Sequence, residues 1–498
     1  MAGDISNPGD FEIEKAVLWT SGGLQQDLTP NIISITIYED ITSSAVSGQI
    51  FFQDAFALSS VGPLIGQEYL QLKIKTAGFD NPEAMIDYSE NFLTITSVNN
   101  RTDDKNGIEY IILNFVSSEQ VINERTRVDR VLSGSYSEIV TKLLTDPLGI
   151  NCRKDLYIEP TDGLKKIVSP NMTPFDLIHM AASESVSKEV KSPTFMFFET
   201  FRGYHFRSLD SLYVQGPRLI YDSFSEAGLK IHREGSAKGS VDIMAGLTTL
   251  LDWEIVSGND SLVNNMLGAY ASKLIVHDIF NKKFTEHKYN YLESFPTDQH
   301  IEYYNSGYEN PLYSATHVDN KKNTVSDFPS RIFVTPTSIK DTDAKTDAAH
   351  HTSNNTFNFS AQNSETFLQR RNSQMIQSEQ GFMVNISTLG NTTISAGDVV
   401  MVDLPMPLAN SLTYGDDDSS DQEFTPDKWY KGSFLIKRIR HDFDRGAGLH
   451  QSNMVLVKDS LTEEIESSEF IDIGSSSQGT LTTDFYKNLG LAQLGTWI

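Results

Sequence analysis

Short runs in which apolar and polar residues alternate recur along the chain, and they fall into two groups far apart in sequence. Toward the C-terminal end, Phe382–Leu389, Ile394–Val402, Gly432–Phe443 and Asn453–Ser460 are rich in Val, Ile and Phe and are separated by Gly, Asn and Asp. That is the pattern of antiparallel strands. Toward the N-terminus, Ile33, Ile35 and Ile37 alternate with polar residues, and Val46–Phe52 follows. Ile65-Gly66 precedes Tyr69–Lys75 much as Ala396-Gly397 precedes its own run. Phe92–Val98 meets Ile108–Val116 across Asn106-Gly107, a strong hairpin signal. The shared order predicts two similar small β-barrel, tube-like domains, because closure leaves few free strand edges. Phe11–Trp19 predicts a first strand ahead of them.

Between the two groups the period changes. Ser135-Tyr-Ser-Glu138 matches a capping box, and Thr173-Pro174-Phe-Asp176 is a second helix start with Thr at the cap and Pro at the first position. Thr194–Thr200 and Gly203–Ser208 read as a hairpin closed by Phe201-Arg-Gly203. Asp260 can cap a helix from Ser261 to about Ser272, with Leu262, Met266 and Tyr270 on one face. Lys273–His277 and Lys283–Tyr291 read as the opening hairpin of the second β-domain, and a polar helix from Glu365 carries the chain back into it. The expected class is therefore mainly β with α+β inserts. The division runs 1–124 for the first tube-like domain, 125–245 for a mixed α/β domain, and 246–295 with 366–461 for the second tube-like domain. Residues 296–365 form a peripheral insertion, too long for an ordinary loop, and 462–498 a linker and tail helix.

Composition narrows the function classes. Hydrophobic residues make up 39% of the 498, enough for packed cores. Nowhere do 18 apolar residues run together, so no membrane span is expected. The start of the chain has neither a basic nor an apolar leader segment, and Cys152 is the single cysteine, which points to manufacture in a reducing cytoplasm. Forty basic against 66 acidic residues give a formal charge of −26. Gripping phosphate backbones takes clustered Lys and Arg, so specific nucleic-acid binding is not expected. Lys437, Arg438 and Arg440 do cluster on one strand; a solvated face balanced by Asp442 and Asp444 is the favoured reading.

Motifs that could carry chemistry are weak. Ser185-Val-Ser-Lys188 matches a nucleophile pattern, yet its companion motifs are missing. Asp416–Asp421 through Asp427 invites a calcium reading, but the sixth position of such a loop is Asp421 where Gly is required and the twelfth is Asp427. His350-His351 lacks partners at ligand spacing. No catalytic, cofactor or metal residues are assigned, and the chain is expected not to be an enzyme.

The paired β-halves, Gly397-Asp-Val-Val-Met-Val402 and the close Gly432-x-Phe-Leu-Ile-x-x-Ile-x-His441 … Val455-Leu-Val-Lys-Asp-Ser460 resemble the baseplate central hub proteins of contractile-tailed bacteriophages, similar in fold to the hub half of type VI secretion spike proteins. Asn171–Ile178 and Leu267–Ser272 share the likeness, which covers roughly residues 30 to 460. The resemblance implies a structural virion protein of the tail baseplate: a homotrimer that adapts the six-fold tail tube protein ring to the three-fold central spike protein, touches baseplate wedge proteins and leaves a channel for DNA. A tail-associated host-recognition or carbohydrate-binding protein and a cell-wall hydrolase stay open as alternatives.

Overall fold

The computed structural model describes residues 9–20, 22–54, 64–77, 84–103, 109–222, 247–257, 260–278, 282–302, 310–311, 324–337, 364–404 and 429–462. In chain order its first strands are β1 (Phe11–Trp19), β2 (Gln25–Asp27), β3 (Ile32–Asp40), β4 (Ser47–Asp54), β5 (Tyr69–Thr76), β6 (Met85–Asp87), β7 (Leu93–Asp103) and β8 (Glu109–Ser117). A middle group follows: β9 (Val131–Gly134), β10 (Leu156–Ile158), β11 (Lys165–Val168), β12 (Phe195–Thr200), β13 (Gly203–Ser208) and β14 (Ile220–Asp222). The later strands are β15 (Leu250–Ser257), β16 (Ala271–Asp278), β17 (Lys283–Asn290), β18 (Asn310–Pro311), β19 (Arg331–Thr337), β20 (Phe382–Leu389), β21 (Val399–Asp403), β22 (Gly432–Asp444), β23 (Leu449–Lys458) and β24 (Ser460–Leu461).

Fourteen of these strands belong to one sheet, whose main path runs β15-β20-β23-β22-β3-β4-β8-β7-β5-β1-β2. The chain is mainly β, as its alternating runs require. The two closed barrels expected from sequence are not found among the described residues: both halves lie in one open, largely antiparallel sheet. The reason is visible in β22, which is long enough to serve two partners. Its start pairs with β21, a bulge falls between Ile436 and Arg438, and Arg438–Asp444 then pair with β3. A bulge sharpens twist and redirects a strand, and here it carries the second half onto the first.

The two halves repeat each other register for register. Ser47↔Val116 and Ile50↔Leu113 in β4–β8 correspond to Met383↔Val457 and Ile386↔Met454 in β20–β23. A bulge between Ile95 and Ser97 of β7 corresponds to the one between Ile436 and Arg438 of β22. The irregularity between Ile32 and Ser34 of β3 corresponds to one between Leu250 and Asp252 of β15. Even the turns agree. Gly66 and Gly397 both have positive φ, which glycine alone adopts without strain. The carboxylate of Glu68 accepts from the N–H groups of Ile65, Gly66 and Gln67 at 2.8–3.0 Å, and that of Asp398 accepts from Ser395 N–H at 3.0 Å. Ile95 N–H then reaches Glu68 C=O at 2.8 Å, as Ile436 N–H reaches Asp398 C=O at 2.9 Å.

Each half buries its own core, Ile35, Ile50, Leu72, Leu113 and Phe115 in the first, and Val384, Ile386, Val400, Phe434 and Leu456 in the second. Every such side chain contributes about 1.5–3 kcal/mol on burial. A third core belongs to the mixed α/β block, where helices Tyr136–Thr145 and Pro174–Glu184 pack on β12 and β13. Its helix starts are the expected ones: Ser135 and Glu138 form the reciprocal capping box, and Thr173 accepts from Asp176 N–H at 3.2 Å.

Two expectations are corrected. The helix capped by Asp260 stops at Leu267, because Gly268 takes a left-handed C-cap and β16 begins at Ala271. Its Leu262 and Met266 are about two-thirds exposed, so the stripe read from sequence is not a core face. The hairpin β16–β17 forms, but it pairs with β19 in a separate three-stranded sheet. The strand that opens the second half is β15, paired with β20. Helix Ser364–Gln380 is polar as expected, yet Gln369, Ser373, Gln374 and Gln377 are buried. Hydrogen bonds to Ser272, Ala269 and Asp210 satisfy the first three.

Candidate functional site

One face of the large sheet is covered by the cores and the other is not. Strand alternation assigns Thr36, Tyr38 and Asp40 of β3, Arg438, Arg440 and Asp442 of β22, Gln451 and Asn453 of β23, and Asn385 and Ser387 of β20 to the uncovered side. These side chains bond to one another in a lattice across the strands. Thr36 donates to Asp442 at 2.9 Å, Asn453 donates to the other oxygen of Asp442 at 3.0 Å, and Ser387 donates to Asn453 at 2.6 Å. Asn385 extends it to Glu254 of β15 at 3.4 Å. The centre of this surface is a groove of about 560 Å³ over the β3–β22–β23–β20 run.

The basic cluster seen in sequence is taken apart by the same alternation. Arg438 and Arg440 stand on the uncovered face, paired with Asp40 at 2.5 Å and Asp442 at 2.7 Å. Lys437 sits in the bulge and points the other way, buried, bonding the Ser378 carbonyl at 3.0 Å and the Glu379 carboxylate at 2.9 Å. No basic stripe results. On the uncovered face the two arginines are outnumbered by Asp40, Asp442, Asp444, Asp252 and Glu254. Over β15, β20, β23, β22 and β3 the surface is polar, internally hydrogen-bonded and acidic, whereas on β4 and β8 the same side carries Phe51, Tyr110, Ile112 and Val116.

Of the other candidates, Ser185, Lys188 and Cys152 fall within the described residues. Ser185 is buried at a helix end and donates to its own Ala181 carbonyl at 2.7 Å, while Lys188 is exposed. Burial pushes the Cys152 thiol up to about 12, away from the thiolate form that a nucleophile needs. His350-His351, the Asp416–Asp427 loop, the Asn106-Gly107 turn and the 474–498 tail lie outside the described residues. Among the described residues no group of three or more His, Cys, Asp or Glu is arranged to hold a metal, and no helix is long and apolar enough to cross a membrane.

Sequence reasoning missed the buried charges that join the three cores. Glu39 of β3 accepts from Phe201 N–H at 2.8 Å, Ala396 N–H at 3.1 Å and Ser395 Oγ at 2.9 Å, so one carboxylate ties the first half to the second and to the α/β block. Burial outweighs these donors and lifts its pKa to about 7. Lys154 bridges Glu119 at 2.6 Å and Glu199 at 2.5 Å beneath the rings of Tyr88 and Tyr204. Lys458 pairs with Glu302 where both are fully buried. The only sequence signal was a charged residue at a core position of a strand, as Glu39 is between Ile37 and Ile41.

No protein-family model matches the sequence, and no curated protein matches it. Among solved structures, the chain is similar over 90% of its length to a tail protein from Neisseria meningitidis MC58, covering 97% of that chain at 11% identity and a TM-score of 0.48. It is similar over 89% to the 43 kDa tail protein of prophage MuSo2 from Shewanella oneidensis, covering 98% of that chain at 9% identity and a TM-score of 0.48. A third likeness, over 92% of this chain and 79% of that one at 10% identity and a TM-score of 0.36, is to the E. coli c3393 protein, a component of the type VI secretion system described as structurally similar to the T4 bacteriophage tail proteins gp27 and gp5. Identities near a tenth and TM-scores below 0.5 mark distant likenesses.

Proposed function

We propose that this chain is a structural component of a phage-type tail, the trimeric hub of a baseplate, which adapts a six-fold tail tube to a three-fold central spike around a channel for DNA. The observation that carries the reading is the tandem order of the sheet. Strands β15-β20-β23-β22 form one unit, β3-β4-β8-β7 form its copy in the same register, and the seam between them is β22 on β3, seven residue pairs long. The counterpart of that seam has no partner within the described chain. β7 pairs with β5 only at Leu93 and Thr94, and β15 pairs only with β20. The outer edge of β7 past its bulge is the equivalent of the β22 segment that binds β3, and β15 is the equivalent of β3.

Joining β7 of one copy to β15 of the next extends the sheet by the rule it already follows. Three copies then supply six equivalent units, six-fold in their strands and three-fold in their chains. Two exposed edges, a standing aggregation hazard, vanish on closure. Backbone pairing together with apolar flanks provides the association energy of an obligate interface. With the cores outside, the uncovered face, acidic over β15, β20, β23, β22 and β3, lines the bore. Fixed carboxylates there repel a phosphate backbone, and the lattice of internal hydrogen bonds leaves few donors to hold it, so DNA passes without adhering. The α/β block and the sheet of β16, β17 and β19 lie off the repeat, where wedge proteins would dock. The role proposed is non-enzymatic. Light scattering on the purified chain tests the assembly: the mass of three chains with a six-lobed view down the axis is expected, and a stable monomer at micromolar concentration would overturn it.

A further inference from the structure

Away from the sheet face, a cleft of about 540 Å³ opens where the three cores meet, between β6, the β10–β13 pair and the turn that ends at Asp398. Clefts at such junctions are where ligands are usually held. Its wall carries three arginines, although the chain as a whole is strongly acidic. Arg202 and Arg218 share a single carboxylate, Asp398, at 2.9 and 3.0 Å. Arg207 makes no ion pair among the described residues; its partners are neutral, Gln215 at 3.3 Å and the Ser211 carbonyl at 2.9 Å. Glu159 and Asp398 act on it electrostatically but make no direct ion pair with it, and burial holds its pKa below the usual arginine value.

Two further polar atoms are left over beside it. Arg202 Nε and His205 Nδ1 are buried without a hydrogen-bond partner. The His205 ring is sandwiched between Phe198 at 4.8 Å and Tyr157 at 4.6 Å, and Tyr157 turns a partly exposed face outward. Thr200 Oγ accepts from Arg202 N–H at 3.2 Å and shares a hydrogen bond with His205 Nε2 at 3.1 Å. His205 Nδ1 has no partner in either tautomer, and protonation of the ring makes it a donor.

We propose that this cleft is a binding site for a single oxyanion, a carboxylate or phosphate group borne by a ligand that stacks on Tyr157. It is independent of the hub reading. An oxyanion would give Arg207 the direct bidentate partner that Glu159 and Asp398 do not, and would supply an acceptor to Arg202 Nε and to the protonated His205 ring. Asp87 and Asp155 stand on the same lining, and they disfavour a polyanion such as a nucleic-acid strand. Inside the cleft, burial and the neighbouring cations Arg207 and Arg202 hold His205 down at about 3. A bound anion reverses that electrostatic penalty, and this is the readout.

The test uses the full chain with carbon-13-labelled histidine, titrated with inorganic phosphate in one arm and acetate in the other. The expected result is a saturable shift of the His205 signal at millimolar anion near neutral pH in both arms, and a rise of its pKa by at least one unit in the phosphate arm. Arg207→Gln should weaken the affinity tenfold or more, and Arg207→Lys should restore part of it. If Arg207→Gln fails to fold, Arg218→Gln, at a side chain 44% exposed, tests the same wall. Saturation by phosphate alone assigns a phosphorylated ligand; saturation by both anions assigns a carboxylate-bearing one as well. No saturable shift with either, or equal affinity in the arginine variants, overturns the proposal.

Discussion

Replacing Glu39 by Gln separates the two influences on the carboxylate that joins all three cores. Phe201 N–H is bound by one oxygen, and Ala396 N–H and Ser395 Oγ by the other. Glutamine keeps one acceptor and puts an NH₂ where the second stood. The Ser395 hydroxyl can turn away, but Ala396 N–H is left facing a donor, at a cost of about 1–3 kcal/mol. The pH dependence is the sharper quantity. A carboxyl whose value rises from 4.5 to about 7 on folding binds its proton more tightly in the native state, so its contribution is greatest at low pH. That contribution fades as pH rises from about 4.5 through 7. The shift corresponds to roughly 3 kcal/mol. Denaturant unfolding of wild type and Glu39→Gln between pH 4.5 and 8 therefore predicts a stability advantage of the wild type that grows toward acid by about that amount. Subtracting one protein from the other cancels the histidines. An advantage that instead shrinks toward acid would show that the three donors outweigh burial, and a flat difference would show that Glu39 does not titrate in this range.

Burial holds the His441 ring at about 3 in the folded chain, against 6.5 ordinarily, so its contribution to stability is complete above pH 6.5 and is lost as pH falls toward 3. Its NMR signal should not titrate between pH 8 and 5, and a midpoint near 6.5 would refute the assignment. Gly48→Ala would drive a Cβ to 2.3 Å from both the Phe115 ring and the Thr36 carbonyl; a loss of about 2 kcal/mol or more is expected in urea unfolding. Lys437→Gln and Arg438→Gln change neighbouring cations and should differ. The exposed Arg438 pair contributes less than about 1 kcal/mol. Loss of buried Lys437 leaves the Ser378 carbonyl without its donor, at about 1–3 kcal/mol.

Much of the fold was legible because it rests on local patterns. Period-2 alternation located β1, β3, β4, β8, β20, β22 and β23, and cap chemistry at Ser135, Thr173 and Asp260 located three helix starts. Partner choice was not legible. β16 and β17 have the composition of strands in the large sheet, yet only pairing with β19 decides where they belong. Nor did alternation alone show that β22 changes partner at a bulge, because a bulge is one extra residue with no composition of its own. The basic trio Lys437, Arg438 and Arg440 shows the same limit: three adjacent cations became one core lysine and two surface pairs only once the bulge set their directions.

The account stands on the β7–β15 seam, and a disulfide across it is the most direct test. In the seam within the chain, Arg440 lies opposite Tyr38; the repeat register carries these positions to Asn99 and Val256. Directly opposed residues on antiparallel strands are about 4.5–5.5 Å apart at Cα, within disulfide range. Asn99→Cys and Val256→Cys are placed together on a Cys152→Ala background, oxidised and run without reductant. The account predicts covalent dimers and trimers and nothing larger, with no cross-link in either single variant. Absence of cross-links in the doubly substituted protein, or a ladder that continues past three chains, would contradict it.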